Sequence, residues 1–240
     1  NGDVFFQHRE ACNRQYDAVP EVVESYMAEI SKITGREYHL FNYYGAPDAD
    51  RVIIAMGSVT QAAQEAIDHL NAKGEKVGLV SVHLYRPFSA KHFLAAVPAT
   101  AKRIAVLDRT KEPGANGEPL YLDVKECFYG KADAPVIVGG RYGLASKDTT
   151  PAQILSVFEN LALPMPKDHF TLGIVDDVTF TSLPLKEEMA LGAAGTFEAK
   201  FYGLGADGTV GANKNSVKII GDNTNKYCQA YFAYDSKKSG

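Results

Sequence analysis

The stretch that most constrains the fold is residues 51–83, which predicts a strand, a helix and a second strand. It opens with RVIIAM, a continuous apolar run typical of a strand buried on both faces in a parallel sheet. VGLVSV repeats that pattern at the other end. Between them, apolar residues recur at helical spacing on one face, and several are alanines that let a helix lie close to a sheet. Together these runs predict a right-handed βαβ unit.

Capping residues mark where the predicted helices begin and end. Ser58 and Gln61 fit a capping box, and Gly74 suits the left-handed position after the last turn. Ser89 and Thr150 stand before two further helices, and the proline after Thr150 fits a first helical position.

The alternation of strand and helix continues to residue 163. RIAVLD at 103–108 and PVIVGG at 135–140 are two more apolar runs, and helical patterns follow each of them. Four strands alternating with helices predict an α/β fold, an open, doubly wound, mostly parallel sheet over residues 38–163. Residues 38–50 look like a connector into the βαβ unit.

The flanking segments differ in composition. In residues 1–36, VFF is compatible with a short strand, and an amphipathic helix is predicted from Pro20 to Gly35, with Val23, Met27, Ile30 and Ile33 on one face. Residues 164–194 mix prolines with short β-prone runs and predict an extended linker. Residues 195–240 are glycine-rich and carry strand-like VKIIGD and QAYFAY, which predicts an incomplete second α/β unit. With no initial methionine and a KKSG end, we expect a piece of a longer polypeptide.

Composition narrows the function. A net charge of -4 argues against a general nucleic-acid binder, and no apolar stretch or signal peptide points to a membrane or to export. We therefore expect a cytoplasmic protein. Three distant cysteines without a CxxC pair predict neither disulfides nor a metal centre built from this chain alone. GxSxG, HExxH and the thiamine diphosphate motif are also absent, so no catalytic residue is assigned.

Polar residues follow the carboxyl ends of the four predicted strands, where open α/β sheets bind ligands. This rim comprises Gly57, Ser58, His83, Arg86, Asp108, Arg109, Thr110, Lys111, Gly139, Gly140 and Arg141. It fits either an anion site or a rim whose charges pair internally or against another domain, and we favour the second interpretation. The single glycine before Ser58 is too few for a dinucleotide fingerprint, which makes helix capping the better explanation there.

A second glycine cluster lies at residues 203–211, GLGADGTVG. Such a segment lets backbone amides approach a diphosphate closely, although glycine clusters also form plain turns. The candidate ligand-binding residues are Gly203, Gly205, Asp207, Gly208, Thr209, Gly211, Lys214, Lys237 and Lys238.

Several motifs, in order along the whole chain, resemble the pyruvate:ferredoxin (flavodoxin) oxidoreductase family. They are VFFQHREACNRQYDAVPEVVESYM, YHLFNYYGAPDADRVIIAMGSV, LDRTKEPGANGEPLY, GGRYGLASKD, GIVDDVTFTSLP, FYGLGADGTVGANKNSVKIIGDNT and YFAYDSKKSG. The resemblance implies that residues 1–36 end a pyrimidine-binding domain. It also implies that 38–163 form a domain similar to the carboxy-terminal domain of transketolases, and that 195–240 open a γ-type domain.

The resemblance also implies a chemistry for the full enzyme. Pyruvate and coenzyme A are converted to acetyl-coenzyme A and carbon dioxide, with electrons passed to ferredoxin or flavodoxin. Thiamine diphosphate, Mg²⁺ and [4Fe–4S] clusters would be held by domains outside this chain, in a homodimer. The chain would then be inactive alone and would supply scaffold, contacts between domains and a coenzyme A surface at the 203–211 cluster. A stand-alone nucleotide or coenzyme A module, or a purely structural piece that docks through its basic rim, is the alternative.

Overall fold

The computed structural model describes residues 1–184, 186 and 195–234. The chain divides into two compact units, Asn1–Ala190 and Leu191–Gly240. The helices are α1 (Gly2–Thr34), α2 (Val59–Asn71), α3 (Ala90–Ala96), α4 (Pro119–Phe128), α5 (Pro151–Ala162) and α6 (Thr209–Asn223). The strands are β1 (Phe41–Gly45), β2 (Arg51–Ala55), β3 (Val77–Val82), β4 (Arg103–Asp108), β5 (Val136–Tyr142) and β6 (Phe170–Leu172).

The first unit is built on one sheet with the strand order β1-β3-β2-β4-β5-β6. Only β1 is antiparallel to its neighbour, and the other four pairings are parallel. Arg51 aligns with both Val77 and Arg103, so β2 is the central strand between β3 and β4. The predicted fold class and the βαβ unit at residues 51–83 are therefore confirmed.

The sheet has an apolar core on each face. On one face, α2 and α5 cover side chains such as Ile53 and Leu107. On the other, α3 and α4 cover Val52 and Ile54, and the second half of α1 packs there through partly buried Val23. Helices on both faces explain why the central strands read as uninterrupted apolar runs.

Small residues bring α2 close to the sheet, as predicted. Ala63 and Ala66 are fully buried, and Gly74 has a φ of 87° just after the helix. The predicted capping box is wrong, because Ser58 has helical backbone angles and its side chain makes no capping hydrogen bond. Ser89 also makes no cap, since its hydroxyl pairs with Nδ1 of His92 at 2.7 Å. The cap by Thr150 is confirmed.

Both edges of the sheet contain strands that were not predicted. Residues 38–50, interpreted as a connector, contain β1, which aligns Phe41 with Val82 on the neighbouring strand. The predicted linker contains β6, which extends the sheet beside β5, and a bridge between Thr171 and Ser182 then covers the outer side of β6. Covering an edge in this way satisfies backbone groups that would otherwise be open to other chains.

The VFF run lies inside α1, so the short strand predicted there is wrong. The helix predicted from Pro20 is confirmed and is capped by Gly35, whose φ is 70°, but it starts much earlier. Ile30 and Ile33, which belong to the predicted apolar face of this helix, are exposed. Helix α1 packs on the core through Pro20, Val23 and Met27, and its apolar spacing continues past this contact into exposed positions.

In the second unit, α6 includes residues 217–222, so the strand predicted at VKIIGD is wrong. Residues 229–234 form no strand, so QAYFAY is also not a strand over its described length. Helix α6 buries none of its residues. Because strand formation by β-branched residues depends on neighbours in a sheet, their propensity alone does not decide the structure here.

Candidate functional site

A cleft of about 330 Å³ opens where β2 and β4 end. From β2 the chain continues to β3, towards one edge of the sheet, and from β4 it continues to β5, towards the other edge. Open α/β sheets usually bind ligands at the point where the strand order reverses in this way. The lining residues are Met56, Gly57, Ser58, Tyr85, Leu107, Asp108, Arg109, Thr110, Pro119 and Tyr142. The structure therefore brings together Gly57 and Ser58 after β2 with Asp108, Arg109 and Thr110 at the end of β4, whereas Lys111 is not part of the lining.

Asp108, the acid of the rim, is bound to the start of α4. Its carboxylate accepts hydrogen bonds from the amides of Leu120 and Tyr121, both at 3.0 Å, and the residue is 7% exposed. Burial raises the pKa of Asp108 above its ordinary value, the two amides lower it, and the nearby charge of Glu118 raises it further. Asp108 thus occupies the helix N-terminus that would otherwise attract an anion.

Arg141 is committed to a buried ion pair. Its Nε lies 2.7 Å from Oε1 of Glu118, and the two side chains are only 10% and 2% exposed. Its Nη1 donates to the carbonyl of His169 at 2.8 Å. The arginine is therefore not free to bind an anion at the rim.

The other basic side chains of the rim also have partners. Arg86 lies 2.8 Å from Asp123 and stacks on the ring of Tyr85, and Nε of Arg109 donates to the carbonyl of Gly143 at 3.0 Å. Nζ of Lys111 is 3.9 Å from Glu118. Internal pairing is thus what the structure shows for these cations, and it agrees with the favoured interpretation of the rim.

The remaining rim residues serve packing and backbone hydrogen bonds. The amide of Gly139 donates to Asp168 at 2.7 Å, and a Cβ at Gly140 would lie 2.2 Å from the ring of Phe170. His83 pairs through Nδ1 with the carbonyl of His39 at 2.9 Å, as expected for a structural histidine. None of these contacts provides a catalytic base.

Glu118 is the rim residue that the sequence interpretation missed. It is 1% exposed, and its second carboxylate oxygen, Oε2, has no hydrogen-bond partner among the described residues. The residue precedes Pro119 at the start of α4, and this position was the available signal. It supplies the negative charge that makes the burial of Arg141 possible.

The glycine cluster of the second unit forms a turn before α6. Gly205 and Gly208 have φ values of 63° and 82°, which only glycine adopts readily. A Cβ at Gly203 would come within 2.6 Å of Oγ1 of Thr209, so the cluster is also closely packed on itself. Gly211 lies inside α6, where a Cβ would meet nothing within 4 Å.

Asp207 organises this turn with its carboxylate. It accepts from the amides of Leu204 at 2.8 Å and Thr209 at 3.0 Å. Hydrogen bonds from the Thr209 side chain and from these amides lower the pKa of Asp207 to about 2. An anion approaching the N-terminus of α6 would therefore meet a charge of its own sign.

The candidate lysines fall into two groups. Nζ of Lys214 lies 5.7 Å from the ring centroid of Phe232, a distance at which a cation is attracted by the face of an aromatic ring. Lys237 and Lys238 lie outside the described residues. Across residues 1–184, 186 and 195–234, no group of three or more His, Cys, Asp or Glu side chains is placed to hold a metal ion. The same ranges contain no helix both long and apolar enough to cross a membrane.

The class of the domain follows from its sequence and its sheet. Residues 49–154, which begin just before β2 and end inside α5, match the family model for pyruvate:ferredoxin oxidoreductase core domain II. This range contains the cleft and most of the parallel strands.

Relatives extend the match to the whole chain. It is 65% identical over 241 residues to a pyruvate-flavodoxin oxidoreductase of Enterobacter agglomerans, covering 100% of this chain and 20% of that protein. It is 58% identical over 240 residues to a pyruvate:ferredoxin oxidoreductase of Moorella thermoacetica, with the same coverage. The chain thus belongs to the pyruvate:ferredoxin (flavodoxin) oxidoreductase family and spans about a fifth of the length of these relatives.

A solved structure also resembles part of the chain. It is a 2-oxoglutarate:ferredoxin oxidoreductase from Magnetococcus marinus with 2-oxoglutarate, coenzyme A and succinyl-CoA bound. The match covers 51% of this chain and 19% of that chain, at 22% identity and a TM-score of 0.36.

Proposed function

We propose that this chain is part of an enzyme that oxidises pyruvate with coenzyme A to acetyl-coenzyme A and carbon dioxide. In the proposed reaction, two electrons pass to ferredoxin or flavodoxin. The observation that carries the proposal is the 65% identity with a pyruvate-flavodoxin oxidoreductase along the entire chain. We also propose that the full enzyme is cytoplasmic and homodimeric, as the family resemblance implies.

The proposed domain organisation keeps the boundaries expected from the sequence. Residues 1–36 end a pyrimidine-binding domain, 38–163 form the domain similar to the carboxy-terminal domain of transketolases, 164–194 link, and 195–240 open the γ-type domain. The proposed full enzyme holds thiamine diphosphate, Mg²⁺ and [4Fe–4S] clusters in its other domains. The role of this chain is to provide scaffold, contacts between domains and one part of the coenzyme A surface.

The coenzyme A surface is proposed at the turn before α6. Left-handed Gly205 and Gly208 expose backbone that a side chain would cover, and Lys214 adds a cation on the second turn of α6. Asp207 works against a diphosphate at this place, since its ionised carboxylate already holds the amide of Thr209. The diphosphate would consequently bind more weakly here than at an unoccupied helix N-terminus.

Calorimetry with coenzyme A tests the site on two matched glycine variants. Gly208→Ala places a Cβ at a φ of 82°, whereas Gly211→Ala adds the same atom inside α6 with nothing within 4 Å. We expect Gly208→Ala to weaken binding by about tenfold or more, because the turn must change its backbone conformation, and Gly211→Ala to bind like the wild type. Asp207→Asn should strengthen binding, because the carbonyl oxygen of its side chain can still accept an amide while the charge is gone. Equal affinities in all four proteins would refute the site.

Turnover tests the function itself. The full-length polypeptide that contains this sequence should reduce ferredoxin or flavodoxin when supplied with pyruvate and coenzyme A, and this chain alone should not. Pyruvate-independent reduction by the full-length protein, or turnover by the isolated chain, would contradict the proposal. Coenzyme A binding by the chain without any turnover in the full-length protein would instead identify a stand-alone binding module.

A further inference from the structure

Residues 173–182, here named the Asp176 loop, leave the sheet after β6 and return beside it. The amide of Thr171 donates to the carbonyl of Thr181 at 3.0 Å, and the amide of Leu183 donates to the carbonyl of Thr171 at 2.9 Å. These bonds place the end of the loop alongside β6, so both ends of the loop are fixed to the sheet.

The carboxylate of Asp176 holds the interior of the loop. It accepts hydrogen bonds from the amides of Val178, Thr179 and Thr181 at 3.0, 3.2 and 2.9 Å. It also accepts from the hydroxyls of Thr179 and Thr181 at 2.8 and 2.6 Å. These bonds, led by the Thr181 side chain, hold the pKa of Asp176 well below its usual range. The carboxylate is therefore ionised and fully engaged inside the loop.

Apolar side chains occupy the outside of this fixed loop. Val175, Val178 and Phe180 are 70%, 80% and 73% exposed. Phe180 has a φ of 56°, a left-handed conformation that is an outlier for a bulky residue. Lys167 secures this position by donating through Nζ to the carbonyls of Phe180 and Ser182, at 3.1 and 3.3 Å.

Exposed apolar side chains and a strained backbone do not stabilise the isolated unit. They do benefit an interface, because a loop already ordered loses little conformational entropy when another surface covers it. Grouped exposed apolar side chains mark interaction sites, whereas single ones are normal on a surface, and here three exposed apolar side chains lie within six residues of one another. The loop therefore has the properties of a contact made by docking.

We propose that the Asp176 loop is a preformed docking surface for another part of the same polypeptide, lying outside this chain. The inference rests on the proposed function, since it requires the longer enzyme. The relatives are about five times as long as the aligned region, so most of their chain is present to cover this loop. The partner surface is mainly apolar, because the charge of Asp176 is used inside the loop and Asp177 is the one other acid of residues 173–182.

Thiol labelling compares the loop in two proteins. Phe180→Cys is introduced into this chain and into the full-length polypeptide, and reaction of that position with N-ethylmaleimide is followed by peptide mass spectrometry. In the isolated chain it should react as fast as Tyr129→Cys, a control at a residue that is 84% exposed. In the full-length polypeptide the thiol at position 180 should react at least about tenfold more slowly, because the docked surface excludes the reagent.

A second measurement needs no substitution. Hydrogen exchange of residues 174–182 should be slower in the wild-type full-length polypeptide than in the wild-type chain. Equal labelling and equal exchange in the two proteins would overturn the proposal. So would self-association of the isolated chain that Phe180→Asn abolishes, because the partner would then be a second copy. Turnover of pyruvate is scored separately, so loss of the proposed function and loss of the docking surface give different results.

Discussion

Replacing Arg141 with methionine tests whether the rim of the sheet is held by its internal ion pair. The change keeps an unbranched apolar stem but shortens the side chain, and it removes the guanidinium that lies 2.7 Å from Glu118. Glu118 then stays 2% exposed, and the cation that remains beside it is Nζ of Lys111, which lies 3.9 Å from Oε1 on a side chain that is 47% exposed. Leaving one member of a buried pair without its partner costs about 3–5 kcal/mol.

The expected loss converts into a measurable change in melting temperature. A chain of this size loses about 2–4 °C per kcal/mol, so Arg141→Met should melt roughly 6–20 °C below the wild type. Far-ultraviolet circular dichroism follows the transition, since the chain contains no tryptophan.

Lys91→Met is the matched control. Lys91 and Glu21 are also 2.7 Å apart, but their side chains are 78% and 63% exposed. Because water screens such a pair, the control should melt with the wild type. Similar melting temperatures for the two variants would refute the argument that burial sets the magnitude.

A double variant separates charge from packing. Glu118→Gln combined with Arg141→Met removes both charges, so it should recover part of the stability lost in Arg141→Met alone. If the double variant is no more stable than the single one, the loss comes instead from packing or from the bond to His169.

Two further variants test the backbone and the buried acid. Gly74→Ala should cost about 1 kcal/mol, because only its φ of 87° is unfavourable. Gly45→Ala should cost clearly more in the same thermal assay, because its Cβ would lie 2.5 Å from a carbonyl oxygen of the adjacent strand, and equal costs would contradict the packing described. Since burial raises the pKa of Asp108 in the folded state, its contribution to stability is present below the unfolded pKa and is lost as pH rises through the folded pKa. The stability of the wild type relative to Asp108→Asn should therefore fall between acid and neutral pH, and a constant difference would exclude the raised pKa.

The sequence predicted the centre of the sheet and missed its edges for a physical reason. Strands β2 to β5 are covered on both faces, so their apolar runs identify them without knowledge of the partner strands. The edge strands have weaker patterns: Phe41–Gly45 mixes aromatic and polar residues, and Phe170–Leu172 is only three residues long. Their assignment depends on the strand beside them, which no local pattern contains.

The same limit applies to the candidate site. The sequence at the strand ends predicts that basic residues gather at the rim. It does not predict which acidic residues pair with them. Glu118 is 23 residues from Arg141, and Asp123 is still farther from Arg86 along the chain. These pairs are set by how α4 packs on the sheet.

Two helix N-termini in this chain are already occupied by aspartates. For this reason, neither a glycine-rich sequence nor the presence of a helix N-terminus is enough to identify an anion site here. Asp108 reaches from β4 to the first amides of α4, and Asp207 reaches across its own turn to the first amide of α6. In each place a carboxylate of the chain takes the amides that a phosphate would use, and the favourable interaction with the helix dipole is already satisfied. The two sites differ in what a ligand must displace. Asp108 is buried, and its hydrogen bonds help to hold α4 on the sheet. Asp207 only stabilises an exposed turn. We therefore expect a phosphate to compete for the amides of α6 but not for those of α4, where displacing Asp108 would disturb the packing on the sheet. This is the reason that the coenzyme A proposal concerns the second unit.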